Sequence, residues 1–386
     1  MQADRRAFVL KTGLGMLGLA NGRWVFADDP VAPKGQPGLI IREKEPQNLE
    51  FPFGSLEDFA TPNELFYVRN HFAAPQVDIK NWKLRVEGAV DNPLNLSLDD
   101  LLKMKTARQG ATLECAGNGR IFLNPKVNGV NWEMGAVSNA EWGGVPLNAV
   151  LDKAGLKKQA LEVILEGADS GEVKTDPKSP GEIHFARSLP LAKALRKEVL
   201  LAHKMNGEDL PAAHGYPLRA VVPGWYGMAS VKWLNRIVVV DKPFAGYFQT
   251  MSYTYFEDIG DLPQMVPISE LQVKSQIARP TIQEVVPAKS KYRVFGAAWS
   301  GESTIAKVEV STDRARNWHE ARLLDNATPF CWRLWEYDWE TPGQAGKAEV
   351  MSRATDKNGR TQPMAREEGR GNYMISHVIP VEVLVK

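Results

Sequence analysis

The chain has 386 residues, which is long for one ordinary core and implies two. Lys and Arg total 47 against 46 Asp and Glu, so no net field draws it to nucleic acid or to an acidic membrane surface. Only Cys115 and Cys331 are present, which excludes a disulfide framework, a four-thiolate zinc site and an all-cysteine iron–sulfur cluster.

Residues 1–27 read as a twin-arginine signal: Arg5-Arg6, then Phe8, a short Gly/Leu/Ala stretch from Thr12 to Ala20, and Val25-Phe26-Ala27 as the cleavage region. The apolar run is too short and too glycine-rich for stable membrane insertion, so export of a folded protein to the periplasm is expected. Residues 28–60 are rich in Pro, Gly and charge without periodicity, and an extended lead-in over the surface is expected.

Over 61–275 strands and short helices mix. Lys83–Val90 alternates as a strand, and Ser97 with Asp100 forms a capping box for a helix through Met104. Pro146 and Gly155 bracket a second helix. Further strands are expected at Leu161–Leu165, Val199–Ala202, Leu218–Val222 and Ile237–Val240. Near Arg279-Pro280 helical signals fade, and over 276–386 short alternating runs take over at Tyr292–Ala298, Ala306–Val310, Phe330–Trp335 and Ala348–Ala354. The fold class is α+β: a mixed α/β domain followed by an immunoglobulin-like β-sandwich.

In the run from Thr112 to Arg120, Cys115 ends an apolar strand just where the chain enters a Gly/Asn turn, a junction at which functional side chains often stand. Taken alone, a lone cysteine is more often core packing, and no nearby histidine prepares it as a nucleophile. Cys331, between Phe330 and Trp332, reads as inert packing. With no HExxH and no CxxCH, neither zinc hydrolysis nor covalent haem has support.

Cys115-Ala116-Gly117-Asn118 resembles the molybdenum-ligating segment of the sulfite oxidase family, and neighbouring segments match in the same order. Upstream, Phe66-Tyr67-Val68-Arg69-Asn70-His71 resembles the family's Arg-Asn-His motif; downstream, Glu166-Gly167-Ala168-Asp169-Ser170 resembles its acidic cofactor loop. Met205-Asn206-Gly207, then His214 through Arg219, Val222-Pro223-Gly224 and Ser230-Val231-Lys232-Trp233 resemble its pterin-binding stretch. Each motif is weak alone, and five in order are strong.

The resemblance implies that residues 61–275 bind Mo-molybdopterin, and that the sandwich supports a homodimer. It implies Cys115 as the metal thiolate, with Tyr67, Val68, Arg69, Asn70, His71, Asp169, His214, Arg219, Ser230, Val231 and Lys232 at the cofactor. It places Arg69, Arg120 and Arg370 on the substrate anion, Trp132 as an aromatic wall and Tyr253 as the active-site tyrosine, with Tyr247 or Tyr255 able to take its place. Gly119 stands where many members have a second arginine. The reaction implied is oxidation of sulfite to sulfate, with no haem in this chain and electrons leaving to an external c-type cytochrome. Two other readings stand beside it: a related molybdenum enzyme acting on sulfane sulfur or a sulfoxide, and a non-catalytic exported binding protein.

Overall fold

The structure, a computed structural model, describes residues 38–386, so the signal expected over 1–27 lies outside the described residues. The described part of the lead-in opens with a hairpin of β1 (Ile40–Glu43) and β2 (Asn48–Glu50). The expected surface wrap fails beyond this hairpin, where the chain turns inward. Phe51, Phe53 and Leu56 are all buried, and the Glu50 carboxylate is buried too, accepting from Gly135 N at 2.6 Å. Three large apolar side chains in six residues gain more from burial, about 1.5–3 kcal/mol each, than their charged neighbours lose by lying alongside.

Two five-stranded sheets form the body. One runs in the order β4 (Leu94–Leu96), β3 (Leu84–Gly88), β12 (Leu234–Val240), β7 (Glu162–Glu172), β8 (Glu182–Pro190). The other joins β10 (Glu208–Asp209), β9 (Leu200–Met205), β6 (Val137–Pro146) and β5 (Ala107–Glu114), with β11 (Arg219–Val221) also on β9. Helix α1 (Leu98–Leu102) carries the expected capping box, in which Asp100 N donates to Ser97 Oγ and Ser97 N donates to the Asp100 carboxylate. Helix α2 (Leu147–Ala154) starts after Pro146 and stops at Gly155, where φ is 69°. Later in the chain come two short helices, α3 (Leu191–Ala194) and α4 (Tyr247–Thr250), and then a hairpin of β13 (Thr254–Ile259) and β14 (Leu262–Pro267).

The second body is a sandwich of β15 (Lys274–Arg279), β17 (Lys291–Trp299), β21 (Arg333–Glu340) and β20 (Arg322–Leu323) against β16 (Val285–Val286), β23 (Val381–Val385), β22 (Gly346–Asp356), β18 (Ile305–Ser311) and β19 (His319–Glu320). Val294, Val308, Trp335, Val350 and Val383 form its core. The strand expected at Phe330–Trp335 begins only at Arg333, because Phe330 adopts φ 64° and turns the chain. That turn docks on the first body: Thr112 N donates to Phe330 O at 2.9 Å, and Trp332 N donates to Thr112 Oγ1 at 2.7 Å. Cys331 is buried in this turn, and burial pushes its thiol up to about 12, which keeps it protonated and inert as expected.

Candidate active site

β5 ends at Glu114 and delivers Cys115 into a tight turn. Cys115 N donates to Ala136 O at 2.9 Å, and Asn118 N returns to Cys115 O at 2.9 Å. The turn is also tied from the far end of the chain, where Met374 N donates to Ala116 O at 2.7 Å. The thiol is buried, at 6% exposure, on the wall of a narrow cleft that opens partly to solvent.

The wall gathers residues from distant segments: Tyr67, Arg69, Asn70 and His71 from the loop before β3, Asp169 from β7, His214 and Arg219 beside β11, Ser230, Val231 and Lys232 before β12, and Tyr253 after α4. Asp169 reaches it because the β7–β8 register slips between Glu166 and Ser170, and a bulge of this kind re-aims a side chain. Gly167 leaves room there, since a Cβ would overlap the Asp169 carboxylate and Lys232 O.

The charges on this wall are unbalanced. Arg219 donates to His214 O and Ser230 O, both at 3.0 Å, and Lys232 donates to Ala213 O at 2.9 Å and to Asn70 Oδ1. Arg69 donates to Asn48 Oδ1 at 3.3 Å and to Asn70 O. Asp169 is the one carboxylate on the wall among the described residues, and burial raises it to about 6. Burial pulls Arg219 down to about 10 and Lys232 well below its ordinary range, with the Arg219 charge adding to the effect on Lys232.

The histidines are neutral. Burial holds His214 at about 3, and its Nε2 lies 3.2 Å from Asn63 O. Burial, then the Arg69, Lys232 and Arg120 charges, push His71 well down. Its Nε2 lies 2.8 Å from Tyr253 Oη, and its ring stacks on Phe185 at 4.7 Å and meets the Phe248 edge at 4.7 Å. Tyr253 holds φ 56°, a strained conformation for a tyrosine. Tyr247 and Tyr255, the alternatives for its place, are absent from the wall.

Arg120 stands behind the cysteine turn. Its Nη1 donates to Val130 O at 2.8 Å and its Nε to Asn372 O at 3.1 Å, and Gly117 and Gly129 both lie against the guanidinium, where any Cβ would overlap it. Besides Arg120, three further expected residues are not brought to the wall. Both backbone groups of Val68 pair with Leu49. Trp132 is fully buried in the core, its Nε1 without a partner among the described residues. Arg370 donates to Glu367 at 3.0 Å and lies over the Tyr255 ring at 4.5 Å. Sequence reasoning in turn missed Phe185 and Gly227, which line the cleft together with Trp233 of the expected pterin-binding stretch. Gly227 had a physical reason to be there, since a Cβ would crowd Tyr67 Oη, but an isolated glycine in a loop carries no local signal.

A molybdopterin fits this site on the structure's own terms. The cleft's buried guanidinium and ammonium groups rest on carbonyls and amides instead of carboxylates, which leaves positive charge for a bound phosphate to neutralise. One soft thiol stands among them, suited to a soft or high-valent metal.

Known proteins resemble the chain over both bodies. The family model for the oxidoreductase molybdopterin binding domain matches residues 71–248, and that for the Mo-co oxidoreductase dimerisation domain matches 265–370. The chain is 37% identical to the sulfite oxidase of Gallus gallus over 359 residues, 87% of this chain and 76% of that protein. It is 36% identical to the mitochondrial sulfite oxidase of Rattus norvegicus, of which it spans 64%. The crystal structure of the sulfane dehydrogenase SoxCD from Paracoccus pantotrophus superposes with a TM-score of 0.77 at 28% identity, covering 93% of this chain and 92% of that one.

Proposed function

Because the chain belongs to the sulfite oxidase family of molybdopterin oxidoreductases, we propose that it oxidises sulfite to sulfate and passes the electrons to an external c-type cytochrome. The observation that carries this reading is the Cys115 thiol in a cleft whose buried cations lack carboxylate partners. In this reading Cys115 holds the metal. Arg219, Lys232, His214, Asn70 and Ser230 hold the polar edges and phosphate of the pterin, and Asp169 accepts from its ring N–H groups. The molybdenum cofactor, when bound, supplies the two-electron oxidation with oxygen-atom transfer to sulfur.

The chain's own residues then bind and orient the anion. Arg69 on the wall and Arg120 behind the thiol turn supply fixed positive charge for a small oxyanion, and Arg offers a planar fork matched to paired oxygens. Tyr253, hydrogen-bonded to neutral His71, presents a hydroxyl that burial keeps protonated, so it donates to an oxyanion without itself carrying charge. The sandwich supports a homodimer in this reading, and the twin-arginine signal over 1–27 a periplasmic location.

Sulfite-dependent reduction of cytochrome c and of ferricyanide by the wild type and Cys115→Ser tests the proposal. The expected result is loss of at least ~10³-fold in the variant, together with loss of bound molybdenum and an unchanged fold by circular dichroism. Retained activity in Cys115→Ser refutes the ligand assignment. The likeness to SoxCD supports a second reading, oxidation of sulfane sulfur, and a higher kcat/KM on a sulfane donor than on sulfite would select it.

A further inference from the structure

Arg187 is absent from the cleft wall, yet it is among the largest fully buried side chains, 1% exposed. It lies on β8, two residues after Phe185, so both side chains leave the strand on one face. Phe185 stacks on His71. The Arg187 guanidinium donates through Nη1 to Phe248 O and through Nη2 to Ile268 O at 2.7 Å, and among the described residues it pairs with no carboxylate. Its Nε has no partner among them.

These two carbonyls flank the active-site tyrosine. Phe248 belongs to α4, just before Tyr253, and its ring touches His71. Ile268 lies beyond the β13–β14 hairpin, and its N–H donates to Tyr253 O at 2.8 Å. A single guanidinium therefore fastens both ends of the loop whose strained residue meets His71. Leaving a cation buried without a counter-charge is costly, and burial pulls Arg187 down to about 10, so it still carries its proton at neutral pH. Neutral side chains could bridge one carbonyl; the planar fork is what reaches two at once.

We propose that Arg187 is the positioning residue for Tyr253: it clamps Phe248 and Ile268 so that the tyrosine hydroxyl stays on His71 and faces the substrate anion. This rests on the reading of Tyr253 as a substrate-facing residue. Arg187 touches neither substrate nor cofactor, and its effect passes through the backbone it holds.

The test is a kinetic cycle with Arg187→Met, Arg187→Lys, Tyr253→Phe and the double Arg187→Met/Tyr253→Phe, all loaded with cofactor and normalised to bound molybdenum. With ferricyanide as acceptor, Arg187→Met should lower kcat for sulfite roughly 10- to 100-fold with KM changed less than about threefold, and Arg187→Lys should regain part of the loss. In the Tyr253→Phe background Arg187→Met should change kcat by less than about twofold, because the group it positions is already gone. Losses that multiply in the double variant, or a lysine no better than methionine, overturn the proposal. The cofactor-free proteins give a readout independent of activity: the Ile268 amide should exchange at least about tenfold faster in Arg187→Met, and unchanged protection there also overturns it. If the wild type does not oxidise sulfite, the substrate reading fails while the amide exchange still decides the clamp. Should Arg187→Met not fold, Arg187→Gln carries the same comparisons.

Discussion

Lys274 on β15 reaches out of the sandwich to the residue that precedes the candidate metal ligand. Its Nζ lies 2.9 Å from Glu114 Oε1, and the two side chains are only 3% and 2% exposed. The carboxylate also accepts from Asn118 Nδ2 at 3.0 Å and from Trp299 Nε1 at 2.9 Å, so all its bonds are internal. Lys274→Met removes the counter-charge and leaves a buried carboxylate on two neutral donors. Breaking a buried pair from one side costs about 3–5 kcal/mol, and the two surviving bonds place this case near about 3. Glu114→Gln strands the ammonium instead, at a similar cost. The double variant removes both charges, and one of the two remaining donors then meets the glutamine amide nitrogen, so its cost should fall to about 2 kcal/mol. The double is thus expected to be more stable than either single, with a coupling energy of roughly 4 kcal/mol by denaturant titration of the full chain. For 386 residues unfolding together, at about 1.2 °C per kcal/mol, each single should melt roughly 4 °C below the wild type. Single costs below about 1 kcal/mol, or a double variant that equals their sum, would falsify the claim that this pair pins the sandwich to the cysteine turn.

Other contacts carry their own expected outcomes. His214 is held neutral at about 3 against an ordinary value of 6.5, so the unfolded chain takes up the proton first. Stability is therefore intact above pH 6.5 and is lost as the pH falls below it, by up to about 1.4 kcal/mol per unit at this residue. Replacing it by glutamine should flatten the drop in melting temperature between pH 7 and 5, and an unchanged slope contradicts the assignment. Gly117→Ala sets a methyl against the Arg120 guanidinium, the far end of a flexible side chain, with Gly129 closing the other side. The expected result is a modest stability loss of about 1 kcal/mol and a KM for sulfite raised at least about tenfold, measured by steady-state kinetics. Cys331, buried with its thiol pushed up to about 12, should leave folded Cys115→Ser unreactive toward a disulfide reagent at pH 8 until denaturant is added.

Local chemistry was legible in the sequence. Ser97 and Asp100 cap α1, and Gly155 ends α2 with a positive φ, because those effects act within four residues. The order of motifs also brought eleven of the twelve expected cofactor residues to one cleft wall, from Tyr67, Arg69, Asn70 and His71 through Cys115, Asp169, His214 and Arg219 to Ser230, Val231 and Lys232, and the expected Tyr253 joins them there. Order fixes neighbourhood but not direction. Val68 spends its backbone on Leu49 and Trp132 turns into the core, and no local pattern names either environment, whereas Arg370 is held by Glu367 only three residues before it. Phe51 and Phe53 were hidden for the opposite reason: apolar residues spaced by a proline and flanked by charge show no period, although together they seal the core. Arg187 and the Glu114–Lys274 pair escaped because their bonds span 61 to 160 residues.

Near-neutral composition conceals the feature that matters most. The chain as a whole has 47 basic and 46 acidic residues, yet the cleft wall carries Arg69, Arg219 and Lys232, with Arg120 and Arg187 behind it, and among the described residues Asp169 is the one carboxylate on that wall. Each of these cations rests on carbonyl or amide oxygens. Such groups satisfy the hydrogen bonds of a cation without cancelling its charge, and in a low-dielectric site that remaining charge is expensive. Folding to this arrangement is therefore most favourable with an anion in place, and any anion that binds only the folded chain stabilises it by mass action. Under the proposed function the same imbalance would serve turnover. A dianionic cofactor phosphate would neutralise the Arg219 and Lys232 side of the cleft, leaving Arg69 and Arg120 to select a small oxyanion beside Cys115.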